Sequence, residues 1–195
     1  VVAALTAQNT RAVTDIAPVD PRFVRAQIDT LFDDLTIHAV KIGMLGQRAV
    51  IEVVADRLAQ FAPPHIVLDP VMVAKSGDLL LEQVAVGALR EQLVPLATIL
   101  TPNLPEAGVL LAQRSVETVR EMRRVAEQLR NLMSYAGHRW VLLKGGHLPG
   151  TDTIDLLHDG DVMIELPGHR IETRNTHGTG CTLSAALAAL LPQTD

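Results

Sequence analysis

The chain is poor in aromatic residues, which make up 3% of its 195 positions, and it carries a single cysteine, Cys181. With so few rings, a core must be built from Val, Leu, Ile, Ala and Met, which suits buried parallel strands and the helices that cover them. One cysteine cannot close an internal disulfide, which fits a reducing, cytoplasmic setting. Long hydrophobic runs are also missing: the stretch 185–191 is far too short to span a bilayer, and no signal-peptide pattern is read at the start, so no membrane partner is expected. There is no basic stripe, and the formal net charge is −5, which argues against non-specific nucleic-acid binding. The seven histidines are scattered, without HxH, HxxxH or CxxC spacing, so a zinc site is not expected. A phosphate-bearing ligand stays open, because backbone amides can hold phosphate without net positive charge.

What the chain does contain is an alternation of short apolar runs and amphipathic segments. Residues 1–5 read as the end of a buried strand and 6–14 as a polar loop. Asp20-Pro21 opens a helix in which Phe23, Ile28, Leu31, Phe32 and Leu35 form the apolar stripe. "HAVKIGML" (38–45) is a strand, and 47–61 a helix with Val50, Val53, Val54, Leu58 and Phe61 on one face. "HIVLDPVMV" (65–73) is a strand broken at Asp69-Pro70, followed by an "AKSGD" loop (74–78) and a helix over 79–93. A strand over 97–103, a short helix over 104–111 and a longer helix lined by Val116, Val119, Met122, Ala126, Leu129, Leu132 and Met133, capped by Ser115, come next. "RWVLLKGG" (139–146) is a further strand, 153–158 and 161–166 form a hairpin around Asp159-Gly160, and a last helix begins near Gly180. The spacing predicts one α/β domain over 1–195 with a mainly parallel sheet. Ligands of such sheets gather beyond the carboxyl ends of the strands.

Five features fall at that edge. Gly178-Thr179-Gly180-Cys181 opens a helix, where convergent N–H groups and the helix dipole would stabilise an anion, a phosphoryl group in flight, or a thiolate at Cys181. The same residues also suit a plain glycine turn with a packed thiol. Asn103 and Glu106, three apart, could hold a hydrated Mg²⁺ beside phosphates, or simply form a helix cap. Lys144 ends an apolar strand, where it needs an anionic partner or must reach solvent along its stem. Gln8 could read a heterocycle's donors and acceptors or sit in a turn. Met44 could line a ligand or fill core.

Together "TAQNT", "VKIGML", "VLDPVMVAKSGD", "LTPNLPEA", "LLKGGHL" and "NTHGTGCTLSAALAAL" resemble the hydroxymethylpyrimidine/phosphomethylpyrimidine kinases of thiamine biosynthesis, within the ribokinase-like superfamily. The resemblance covers almost the whole chain. It implies a three-layer α/β/α fold and an enzyme using ATP and Mg²⁺. The acceptor would be 4-amino-5-hydroxymethyl-2-methylpyrimidine and then its monophosphate. Carried over by position, Gln8 would bond the aminopyrimidine, with Met44 and Val71 packed on its ring. Asn103 and Glu106 would lie near Mg²⁺ and the phosphates, with Asp69 placing a metal-bound water. Lys144 and Thr176 would contact nucleotide phosphates. Gly178, Thr179 and Gly180 would form an anion hole, with Cys181 beside the attacking hydroxyl. Cysteine rather than aspartate at 181 resembles the pyrimidine kinases and some pyridoxal kinases, so a pyridoxal/pyridoxamine kinase is the nearest alternative. Family members also carry an N-terminal strand with a Gly/Ser-rich stretch, and closing C-terminal helices. Neither is in these residues, so the chain is expected to be incomplete at both ends, and a non-catalytic nucleotide-binding fragment is the third reading. The resemblance further implies a homodimer.

Overall fold

The computed structural model describes residues 1–9, 13–72, 81, 83–173 and 178–193. The expected 74–78 loop and Thr176 lie outside the described residues. Instead of a buried strand end and a loop, β1 (Ala4–Gln8) and β2 (Val13–Pro18) pair antiparallel in a two-stranded sheet of their own. Most of β1 is exposed, Leu5 included, so the apolar look of the first residues reflects a ribbon standing off the core and not a strand inside it.

The main sheet has six strands in the order β3 (Ala39–Ile42), β4 (His65–Leu68), β5 (Ile99–Leu100), β6 (Trp140–Leu143), β7 (Asp152–His158) and β8 (Met163–His169). The first four are parallel, and β7 and β8 are antiparallel additions at one edge. Successive parallel strands that neighbour each other need a crossover apiece, and the helices supply them. The crossovers are α2 (Arg48–Phe61) between β3 and β4, α3 (Gln83–Ala88) between β4 and β5, and α4 (Leu104–Leu110) with α5 (Val119–Arg130) between β5 and β6, while α1 (Pro21–Asp34) precedes β3 and α6 (Thr179–Leu190) follows β8.

Side chains alternate across a strand, so register assigns the two faces of the sheet. Ile42, Ile66, Leu68, Leu100, Val141 and Leu143 join the main core with Val24, Ile28, Val50, Val54, Met122 and Leu129 from the helices. The opposite face carries Val67, Asp69, Ile99, Thr101, Leu142 and Lys144 in neighbouring rows. Helix α6 packs there, against β3 and β4. Two polar side chains on that buried face, Asp69 and Thr101, mark where the sheet stops being mere packing.

Start signals read from the chain hold at α1, where Asp20 accepts from the Arg22 amide ahead of Pro21. Its buried residues are Val24 and Ile28, however, while Phe23, Leu31 and Leu35 are exposed, and Phe32 stacks on Phe61 at 4.4 Å. Helix α5 starts later than expected: Thr118, not Ser115, caps it, because Thr118 and Glu121 satisfy each other's amides in a capping box. The helix expected over 79–93 is α3 followed by a π turn at Leu89–Leu93 and a 3₁₀ turn at Val94–Leu96, where Pro95 has no amide hydrogen with which to continue.

Candidate active site

Asp69 lies just beyond the end of β4 and is 2% exposed. Burying a carboxylate there requires partners, and it has three from three different elements. Thr101, after β5, donates to Oδ1 at 3.2 Å, and the Lys144 ammonium, after β6, donates to the same oxygen at 3.1 Å. Ser184, on α6, donates to Oδ2 at 3.2 Å. The Lys144 side chain is itself largely covered, so this ion pair sits in low dielectric. Lys144 therefore does have an anionic partner, and it is a side chain of the same sheet edge.

The N-terminus of α6 stands directly over this pair. Gly178, which has no side chain to cap it, begins the helix in the left-handed region, φ 78°. The first amides of an α-helix have no intrahelical acceptor. A side chain at Gly180 would bring a Cβ to 3.2 Å from the Lys144 ammonium, so glycine is what allows the lysine to come this near the turn. Cys181, exposed, follows in the same turn. An anion arriving here would meet helix dipole, amides and ammonium from one side.

Next to Lys144 on the neighbouring strand end, Asn103 bridges to it in parallel fashion and caps α4. Asn103 Oδ1 accepts from the Glu106 amide at 2.9 Å, and Glu106 Oε2 accepts from the Asn103 amide at 2.8 Å. The helix cap is thus realised. Burial pushes the Glu106 carboxyl up to about 7, opposed by the Asn103 amide bond and the Lys144 charge and assisted by the nearby Asp69 charge. Among the described residues no group of three or more His, Cys, Asp or Glu side chains could hold a metal alone. A Mg²⁺ at Glu106, near Asp69, would have to complete its shell with phosphate oxygens and water.

Met44 and Val71 are half-buried, just past the ends of β3 and β4. Gln8, exposed, ends β1 on the separate hairpin. The geometry thus gathers Asp69, Asn103, Glu106, Lys144, Gly180 and Cys181 at one sheet edge, with Gln8 on another sheet. Three participants went unread in the sequence. Thr101 and Ser184 bond Asp69, and Asp155 on β7 accepts the Gly145 amide at 2.8 Å, holding the backbone next to Lys144. For Ser184 a signal existed, a lone serine among alanines and leucines; Asp155 offered none.

This mainly parallel α/β architecture, with its polar cluster at the carboxyl edge of the sheet, is that of the ribokinase-like kinases among the solved structures it resembles. A pyridoxal kinase of Bacillus subtilis in complex with ADP superposes with a TM-score of 0.85 at 36% identity, covering 98% of this chain and 70% of that one. The phosphomethylpyrimidine kinase of Clostridium difficile gives 0.83 at 34% identity, over 100% and 77% of the two chains. The sequence profile described as phosphomethylpyrimidine kinase matches residues 1–195. The hydroxymethylpyrimidine/phosphomethylpyrimidine kinase of Rhizobium meliloti is 51% identical over 97% of this chain and 69% of its own length. The chain belongs to the phosphomethylpyrimidine kinase family.

Proposed function

We propose that residues 1–195 form one kinase domain that transfers phosphate from ATP first to the 5-hydroxymethyl group of 4-amino-5-hydroxymethyl-2-methylpyrimidine and then to the resulting monophosphate, in thiamine biosynthesis. Family membership carries the reaction class. The observation that carries the reading at the level of residues is the Lys144 ammonium, 3.1 Å from Asp69 and beneath the first turn of α6. Phosphoryl transfer through a loose transition state asks mainly for positioning and for positive potential around the equatorial oxygens. Lys144, paired and largely covered, offers a fixed ammonium to phosphate oxygens. The amides after Gly178 offer donors aimed at a single point, with Thr179 and Gly180 small enough to leave the approach open. Cys181 in this turn accepts the proton of the attacking hydroxyl. Gln8 bonds the aminopyrimidine, while Met44 and Val71 pack on the ring; Thr176 completes the nucleotide contacts.

The chemistry around Glu106 fits a divalent cation. It is a buried carboxyl without an ion-pair partner among the described residues, and its ionisation is held back by burial. Glu106 would hold Mg²⁺, with Asp69 placing a metal-bound water, and the ion when bound neutralises charge on the donor phosphates. A homodimer and a cytoplasmic location complete the proposal. Among the described residues no helix is long and apolar enough to cross a membrane.

The likeness to a pyridoxal kinase supports a second reading, phosphorylation of pyridoxal or pyridoxamine by the same residues. Coupled ADP release with each acceptor separates the two. Turnover with the hydroxymethylpyrimidine should exceed that with pyridoxamine, and the opposite preference overturns the first reading. ATP binding without acceptor-dependent ADP release would leave a non-catalytic nucleotide binder.

A further inference from the structure

Helix α6 packs on the sheet through β3 and β4, whereas Lys144 follows β6. Of its residues Thr179–Leu190 only Ser184 and Ala188 are buried. The glycine turn must nevertheless sit over Lys144 to within a few tenths of an ångström if both are to grip one phosphoryl group. One side chain joins the helix to the lysine's own partner. Ser184 Oγ, fully buried, lies 3.2 Å from Asp69 Oδ2, while Asp69 Oδ1 accepts from Lys144. The same hydroxyl oxygen lies 3.1 Å from the carbonyl oxygens of both Gly180 and Cys181, the two residues of the turn itself.

A serine is a costly choice at this position. Alanine has the better helix propensity, and every neighbouring small position of the helix, 185, 186, 188 and 189, is alanine. Burying a hydroxyl is unfavourable unless it is bonded, and its single proton has a charged acceptor in Asp69 that outcompetes the neutral carbonyls. What the serine adds over alanine is therefore the bond across to Asp69.

We propose that Ser184 is the positioning residue that sets the anion-binding turn of α6 in register with Lys144, acting through Asp69. It touches no substrate. Its bond to Oδ2 fixes the carboxylate plane, which fixes the direction in which Oδ1 holds the ammonium, and the same bond fixes the depth at which residues 180 and 181 approach the sheet.

This rests on the kinase reading above, and the two fail separately. In the full chain, with the hydroxymethylpyrimidine and ATP as substrates, Ser184→Ala should lower kcat about tenfold or more and leave the KM of the pyrimidine within twofold. Ser184→Thr, which keeps the hydroxyl, should recover most of kcat. Should Ser184→Ala fail to fold, Ser184→Cys, close in volume and a weak donor, should show a smaller loss confined to kcat. A Ser184→Ala or Ser184→Cys variant with native circular dichroism, a lowered melting temperature and wild-type kcat would reduce Ser184 to packing and overturn the inference. So would Ser184→Thr losing as much as Ser184→Ala. A wild-type chain without acceptor-dependent turnover would instead sink the kinase reading.

Discussion

Replacing Glu106 by glutamine should leave the chain more stable at pH 8 than the wild type, even as its use of Mg²⁺ suffers. The wild-type carboxyl is raised from 4.5 to about 7, with burial as the largest cause. A group whose folded-state pKa lies above its unfolded one contributes fully to stability below the unfolded value. That contribution is lost as the pH climbs through the folded value. Going from 4.5 to about 7, at 1.36 kcal/mol per pH unit, amounts to about 3 kcal/mol, most of it lost between pH 5 and 8. Glutamine occupies nearly the same volume, its Oε1 can still accept the Asn103 amide, and it has no proton to lose. Urea midpoints of both proteins across that range in EDTA, at constant m-value, give the comparison directly. The wild type should lose stability relative to Glu106→Gln as the pH rises, and excess Mg²⁺ at pH 8 should return part of the loss in the wild type alone. Parallel pH profiles would show instead that Glu106 ionises freely in the folded chain.

Removing the thiol with Cys181→Ala should cost about two orders of magnitude or more in turnover, the range for a lost proton acceptor, while calorimetric ATP binding stays unchanged. Full turnover would make Cys181 a bystander. Lys144→Met leaves the Asp69 carboxylate buried without its counter-charge, so a destabilisation of about 3 kcal/mol should accompany weakened ATP binding, both read from denaturation and titration curves. Gly145→Ala places a Cβ 1.9 Å from the Ile154 carbonyl oxygen, which backbone must move to relieve, and a melting curve should register at least about 1–3 kcal/mol of overpacking.

Much of this fold is legible residue by residue. Asp20-Pro21, the apolar faces of α2 and α5, the Asp159-Gly160 turn and the Gly178 helix start all carry local signals that tertiary structure left intact. Where the reading of the sequence failed, nothing local distinguished the outcomes. The β1–β2 ribbon is held by its own ladder and not by burial, so hydrophobicity was the wrong signal for it. Phe23 satisfies helical spacing yet points outward, because α1 needs only the Val24–Ile28 edge to dock. At the site, the residue types and their sheet edge could be read, since strand-end Asp69, Asn103 and Lys144 follow from the alternation of elements. Their pairing could not. Asp69 and Ser184 are 115 positions apart, and only the packing of α6 across β4 brings them into hydrogen-bond range.

The reaction assigned to the edge built from Asp69, Lys144 and the α6 turn is two successive phosphorylations of a hydroxymethylpyrimidine. Mass spectrometry of the products after incubating the chain with ATP, Mg²⁺ and 4-amino-5-hydroxymethyl-2-methylpyrimidine tests it most directly. A monophosphate should appear first and a diphosphate should grow at its expense, with neither formed by Cys181→Ala at a comparable rate. Unmodified pyrimidine alongside intact ATP, or phosphorylation of pyridoxamine alone, would contradict the assignment.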